Sequence, residues 1–297
     1  MGRIHDALTK KEDQGQEKIP PRIEVGQYGQ NGKANGHATL PDSLPKMQFD
    51  FLNYSLAAAA EPHVANGFSH EFTLPAPPAP LREVALDAAR LDPHLVTLLE
   101  CDPAAAEQYQ RTASSLIAAA AERPLKRVLI ASALQGDGRT CVMLNLAGAL
   151  AQARRRVLVM DTDFKHPSVS RLLGLETETG LTELLAEDAS ADQARCKVMP
   201  RGFDILPTHR RPDNAAELLA SSEFAHLLDG LDHDYDFVLF DSSPLLTTDE
   251  GYLLLRMVDT ALLVVAQGKC SSAQATRAVS RIAREDIFGV VLNRLAN

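Results

Sequence analysis

The amino-acid sequence predicts an α/β fold, a mainly parallel sheet flanked by helices and preceded by a long disordered N-terminal region. Three observations carry that prediction. Six short apolar runs follow Pro124 and are nearly continuous rather than alternating, as strands covered on both faces should be. Helical stretches separate these runs, the pattern of βα units in a parallel sheet. Upstream, more than half of the 17 prolines crowd into residues 13–80, where apolar residues follow neither a helical nor a strand period.

Taken in order, residues 1–12 (MGRIHDALTKKE) read as a short amphipathic helix through Ile4, Ala7 and Leu8. A helix of that length needs a partner surface. Residues 13–80 carry GQYGQNGKANG and PAPPAP and read as a disordered tether. Within it, Phe49-Asp50-Phe51-Leu52 is either a hydrophobic spot in a linker or a docking element. Residues 81–123 read as a helical lead-in of three pieces, 81–91, 93–99 and 102–121. Asp102-Pro103 has the form of an N-cap followed by proline in the first turn. Beyond Pro124 the expected strands are 127–131, 156–160, 203–206, 237–240, 260–265 and 287–292. The expected helices between them are 140–153, 214–228 and 273–284.

Composition narrows the functions. In 297 residues, 45% are hydrophobic and 23% charged, the balance of a soluble protein with a core. Lys plus Arg number 30 against 39 for Asp plus Glu, a net charge of −9. Non-specific nucleic-acid binding runs on phosphate neutralisation, so that balance argues against it. Tryptophan is absent and aromatics are 5%, which disfavours a base-stacking platform. No stretch reaches the roughly 20 apolar residues of a membrane span; 253–266 is interrupted by Arg256 and Asp259. The N-terminus lacks an apolar signal core, and Asp6 breaks the myristoylation pattern after Gly2. Cys101, Cys141, Cys196 and Cys270 form no CxxC pair, so neither a disulfide framework nor a zinc site is indicated. These features read as cytoplasmic.

The chemistry gathers at three strand ends. The run Val128–Ala131 enters Ser132-Ala133-Leu134-Gln135-Gly136-Asp137-Gly138-Arg139-Thr140, followed by an apolar helix. That is the place of a P-loop, where glycines let backbone amides curl around a phosphate and the helix N-terminus adds positive charge. Thr140 would ligate Mg²⁺. The match to GxxxxGK[ST] is incomplete, because Ala133 stands at the first glycine and Arg139 at the lysine. An ordinary tight turn is the alternative. Two further runs end in acids, Asp161-Thr162-Asp163 and Asp241-Ser242-Ser243-Pro244. In open parallel sheets the ligand crevice lies at those carboxyl ends. Asp241 suits an outer-shell Mg²⁺ role, and Asp161 or Asp163 could orient or deprotonate an attacking group. The alternative is that such aspartates cap the next helix.

This order of segments resembles the bacterial tyrosine kinases (BY-kinases) of capsule and exopolysaccharide synthesis. Their Walker A, Walker A′ (DxDxR) and Walker B (DxxP) motifs correspond to ASALQGDGRT, VLVMDTDFK and VLFDSSP. The resemblance runs from about residue 90 to the end. It takes in LDPHLVTLLECDPAAAEQYQ, HPSVSRLLGLETETGLTELL and GVVLNRL, and makes 124–297 a P-loop kinase-like domain. MGRIHDALTKKE is similar to the opening of the exosortase-associated tyrosine autokinase branch.

The resemblance implies ATP and Mg²⁺. Gln135, Gly136, Asp137, Gly138, Arg139, Thr140 and Cys141 would cradle the phosphates, and Asn293 stands where relatives contact the base. Thr140 and Asp241 would hold Mg²⁺ with Asp163 beside it. Asp161 would assist tyrosine deprotonation, with Arg139 supplying charge. The family's partners are a membrane polysaccharide co-polymerase (chain-length determinant) and further copies of the kinase in rings. This implies a cytoplasmic protein recruited to the inner face of the membrane.

The sequence also departs from the family. Arg139 replaces the loop lysine, a degenerate Walker A, and Lys165 replaces the A′ arginine. The two exchanges would compensate if Lys165 reached the phosphates from across the site. Gln135 replaces a proline that pre-sets the turn. The ring-forming ExxRxxR reads Glu107…Gln110…Ala113. No tyrosine cluster precedes Asn297, which leaves Tyr28 and Tyr54 as accessible acceptors or ordinary linker tyrosines. Two functions therefore stand side by side. One is an active autokinase regulating exopolysaccharide synthesis or export; the other is a catalytically impaired regulatory or docking subunit of the same system. A partitioning ATPase is disfavoured, because Leu134 stands where its extra lysine belongs. His166 reads as a helix start and His209-Arg210-Arg211 as a solvated loop.

Overall fold

The structure, a computed structural model, describes residues 23–25, 81–283 and 286–293. The expected helix at 1–12, the Phe49–Leu52 run, Tyr28 and Tyr54 lie outside the described residues.

The elements run β1 (Ile23–Val25), β2 (Arg82–Ala85), α1 (Val96–Leu99), α2 (Pro103–Glu122), β3 (Arg127–Ser132), α3 (Arg139–Gln152), β4 (Val157–Asp161) and α4 (Val169–Leu172). They continue with α5 (Leu181–Leu185), α6 (Ala191–Ala194), β5 (Cys196–Met199), β6 (Phe203–Leu206), α7 (Ala215–Leu219) and α8 (Ser222–Asp234). The last are β7 (Phe237–Asp241), α9 (Glu250–Leu255), β8 (Thr260–Ala266), α10 (Ser272–Val279) and β9 (Ile287–Asn293). Among the described residues the strands form one sheet in the order β1-β9-β8-β3-β7-β4-β6-β5-β2. Every pairing is parallel except β5 with β6. The α/β architecture is the one expected.

Continuous apolar runs follow from burial on both faces. Along β3, Val128 and Ile130 face a core with Met143, Leu146 and Leu150 of α3 and Tyr109 and Leu116 of α2. Leu129 and Ala131 face a second core with Phe224 and Leu228 of α8, Leu254 of α9 and Ala278 of α10. A strand buried on both faces is apolar along its middle, and its polar residues fall at its ends, as Ser132, Asp161, Asp241 and Thr260 do here. Helix α2 begins as expected: the Asp102 carboxylate accepts from the Ala105 amide at 3.0 Å, with Pro103 in the first turn.

Four local expectations change. The expected helix at 81–91 is instead strand β2, which pairs with β5 in the register Val84↔Val198. Pairing with an open sheet edge overrides a weak local helical preference. Strand β5 was not foreseen; it forms the antiparallel partner of β6. Three residues of the expected tether, Ile23–Val25, pair with β9. The expected helix 214–228 is broken, because Ser221 is extended and its hydroxyl accepts from the Phe224 amide at 3.1 Å, starting α8 anew.

Candidate active site

The site is built by three neighbouring strand ends. Strand β7 lies between β3 and β4, and its last residue, Asp241, is in register with Ile130 of β3 and Asp161 of β4. The turn from β3 to α3 therefore opens directly beside two carboxylates. Asp161, Asp163 and Asp241 are all buried, at 1%, 2% and 0% exposure.

The turn carries two glycines with positive φ, as anion-binding turns use. Gly136 (φ +78) and Gly138 (φ +90) occupy the left-handed region, where a side chain would be strained. Asp137 braces the turn from inside, its carboxylate accepting from the Leu134 amide at 3.0 Å. Burial pushes the Asp137 carboxyl up, against the opposing effect of that amide.

Each aspartate has a distinct set of partners. One oxygen of Asp161 accepts from the Ser168 and Val169 amides at 2.9 and 3.0 Å, so it caps α4; its other oxygen has no partner. Asp163 accepts from the Ser243 hydroxyl at 2.9 Å and from the Arg139 guanidinium at 3.0 Å. Asp241 accepts from the Thr140 hydroxyl, which also lies 2.9 Å from the Ser168 hydroxyl. The second Asp241 oxygen has no hydrogen-bond partner and forms an ion pair with Arg139 Nε at 3.7 Å. Burial and the neighbouring Asp241 charge hold the Asp161 carboxyl well above the usual range. Burial raises Asp241 to about 6, with Arg139 and Thr140 opposing.

Arg139 is drawn into this group. Its guanidinium is 6% exposed and also donates to the Ser132 hydroxyl and the Leu134 carbonyl. Thus the loop cation lies against the acids. Lys165 does not reach across: it pairs with Glu250 of α9 at 2.8 Å. Burial is the largest influence and disfavours the Glu250 anion, but the Lys165 contact, the Glu250 amide and Thr248 together outweigh it and lower the carboxyl.

The comparisons with known proteins agree with this geometry. A family model described as an AAA domain matches residues 126–283, more than half of the chain. The tyrosine-protein kinase YwqD of Bacillus subtilis (strain 168) is 30% identical over 207 residues, which cover 69% of this chain and 87% of that protein. The chain belongs to the bacterial tyrosine-kinase family of AAA-domain proteins. The putative tyrosine-protein kinase CapB of Staphylococcus aureus is 26% identical over 64% of this chain and 84% of its own length. Wzc of Salmonella typhi, a tyrosine-protein kinase, is 31% identical over 53% of this chain, but that match is 22% of Wzc itself. Among solved structures, the chimerical protein CapA2B2 superposes with a TM-score of 0.65 at 25% identity, covering 73% of this chain and 95% of that one. The kinase domain of the Escherichia coli tyrosine kinase ETK gives 0.64 at 27%, covering 69% and 81%.

Within this kinase family frame, the fold brings Thr140, Asp161, Asp163, Asp241 and Arg139 together, next to the turn 135–138. Asn293 also arrives there, but its side-chain amide donates to the Asp137 carbonyl at 3.0 Å. Cys141 lies in the first turn of α3, and its thiol contacts the His94 carbonyl at 3.4 Å. Sequence reading missed Ser132, Ser168 and Ser243, which complete the polar contacts of Arg139, Thr140 and Asp163. Ser243 lies inside the VLFDSSP motif, so the signal was present; Ser132 and Ser168 carried none. In α2, where the family's ring-forming motif would fall and its two arginines are absent, Glu107 pairs with Arg111 at 2.7 Å and Ala113 is buried. Arg210 is no free loop cation, since it pairs with Glu183 at 2.8 Å and Asp188 at 2.7 Å. Of the described tyrosines, Tyr109 and Tyr235 are buried and Tyr252 is 50% exposed. No helix among the described residues is long and apolar enough to cross a membrane.

Proposed function

We propose that the chain binds ATP with Mg²⁺ at the carboxyl ends of β3, β4 and β7 and phosphorylates itself on tyrosine, regulating exopolysaccharide synthesis or export. The observation that supports this reading is the pair of buried carboxylate oxygens without hydrogen-bond partners on Asp161 and Asp241, beside a glycine-rich turn and a threonine hydroxyl. Buried oxygens without hydrogen-bond partners are costly; a divalent cation would satisfy that of Asp241, while that of Asp161 is left to take a proton. The donor set is all oxygen, as Mg²⁺ requires. Thr140, Asp241 and Asp163 are the residues to hold it. Held there, Mg²⁺ would supply positive charge to offset that of the phosphates.

The protein's own groups divide the remaining work. Amides of the 135–140 turn orient the phosphates. Asp161, raised by burial and by Asp241, suits a base that must accept a tyrosine proton and hold it. The family frame suggests activation by a cytoplasmic segment of a membrane polysaccharide co-polymerase, with other copies of the chain delivering the tyrosine.

One observation favours the second reading, an impaired regulatory or docking subunit. Arg139 already pairs with Asp163 and lies 3.7 Å from Asp241, so the loop cation and the metal draw on the same acids. The deciding measurement is intact mass after incubation with Mg²⁺-ATP, with and without the co-polymerase segment, beside Asp161→Ala. Asp161 caps α4, so that control must first be shown to be folded. Phosphotyrosine that depends on Asp161 supports the autokinase. Folded wild-type chain that binds ATP yet gains no phosphate under either condition supports the docking subunit.

A further inference from the structure

A nest of backbone amides binds an anion only while its N–H groups converge and its carbonyls turn outward. In this chain two side chains hold the outward carbonyls. Lys269 Nζ donates to the Gly136 carbonyl at 3.2 Å. Asn293 Nδ2 donates to the Asp137 carbonyl at 3.0 Å. The same atoms fill the space that side chains would need: a Cβ at Gly136 would meet Lys269 Nζ at 2.4 Å, and one at Gly138 would meet Asn293 Nδ2 at 2.1 Å. The glycines thus permit both the turn and the close approach of these two donors.

The donors come from adjoining strand ends that are themselves tied together. Asn293 closes β9, is 2% exposed and is in register with Ala266, the last residue of β8. The Gln267 amide donates to the Asn293 carbonyl at 2.8 Å. Lys269 follows two residues later, in a turn closed by the Cys270 amide on the Ala266 carbonyl at 3.1 Å. Strand β8 is also the direct neighbour of β3, from which the phosphate turn springs. The phosphate turn and both donors therefore spring from three adjoining strands of one sheet, β3, β8 and β9.

We propose that Lys269 and Asn293 are positioning residues that clasp the phosphate loop and preorganise it for the diphosphate portion of a nucleotide. Where the resemblance places a proline, this chain has Gln135, and a turn without that covalent restriction needs another constraint. The clasp supplies one from outside the loop. It gives Asn293 Nδ2 a task at the loop and leaves its Oδ1 without a hydrogen-bond partner. The choice of ligand rests on the nucleotide reading above; the clasp itself rests on geometry.

The test uses the full chain as wild type, Lys269→Ala and Lys269→Arg, with Asn293→Ala as a second probe. Lys269 is exposed, so its replacement leaves the core intact. Two quantities are read: hydrogen exchange of the 134–140 amides without ligand, and affinity for ADP, pyrophosphate and AMP. In Lys269→Ala the loop amides should exchange faster, and ADP and pyrophosphate should bind about tenfold more weakly, with AMP affected much less. Lys269→Arg should restore both, because a guanidinium also donates to a carbonyl. Unchanged loop exchange in Lys269→Ala would overturn the clasp while leaving the nucleotide reading untouched. Faster exchange in a chain whose wild type binds neither ADP nor pyrophosphate would remove the nucleotide reading and the clasp's role in phosphate binding with it.

Discussion

The guanidinium of Arg139 lies between two buried carboxylates, 3.0 Å from Asp163 and 3.7 Å from Asp241. Taking the cation away from such a group leaves charges without water or partner. Arg139→Met should therefore lower the unfolding free energy by about 3–5 kcal/mol at neutral pH. Arg139→Lys should cost less, since an ammonium keeps the charge but loses the forked contacts to Ser132, Leu134 and Asp163. Urea unfolding of both variants measures this; a methionine variant as stable as wild type would show that the pairing contributes nothing. At this scale the sequence named the residues and left their contacts open. Which side Arg139 faces depends on Asp163 and Asp241, which reach it only through the sheet.

Short helices in this chain depend on side chains that close their ends. In α5, one oxygen of Glu183 accepts from the Gly180 amide at 2.8 Å and the other from Arg210 at 2.8 Å. Burial alone would raise this carboxyl, but the Arg210 contact and the amides outweigh it and hold it below its ordinary 4.5. A depressed carboxyl stabilises the fold above its unfolded-state value, and that stabilisation is lost as pH falls through the folded-state value. Glu183→Gln should thus cost about 1 kcal/mol at pH 7, and the gap from wild type should narrow below the ordinary 4.5. Urea midpoints at neutral and acid pH read the difference directly; a gap that stays constant would rule the ionised contact out. The N-cap of α2 makes a simpler case: Asp102→Ala should cost about 1 kcal/mol, seen as a lowered midpoint at unchanged m-value. Asp102 was legible because a cap is a local device. The break at Ser221 follows the same rule, yet it lay hidden in a segment whose apolar period continues across it.

The sheet sets the stability of the whole molecule through burial on both faces. Ile130 and Leu262, central and fully buried, should each cost about 2–5 kcal/mol on replacement by Ala. Val84, half-buried on the edge strand β2, should cost at most about 1 kcal/mol. Equal losses at centre and edge would contradict a core organised around β3, β7 and β8. By itself the sequence determined the α/β class, the central strands and the acids at their ends. Each of these is written in contiguous residues, as an unbroken apolar run followed by a polar turn. Only the tertiary structure decided that Arg82–Ala85 is a strand, that Arg139 folds onto the acids while Lys165 turns to Glu250, and that Lys269 meets Gly136 across 133 positions of chain. Those outcomes are set by hydrogen-bond and charge partners distant in sequence, and no local pattern encodes which partner a side chain will meet.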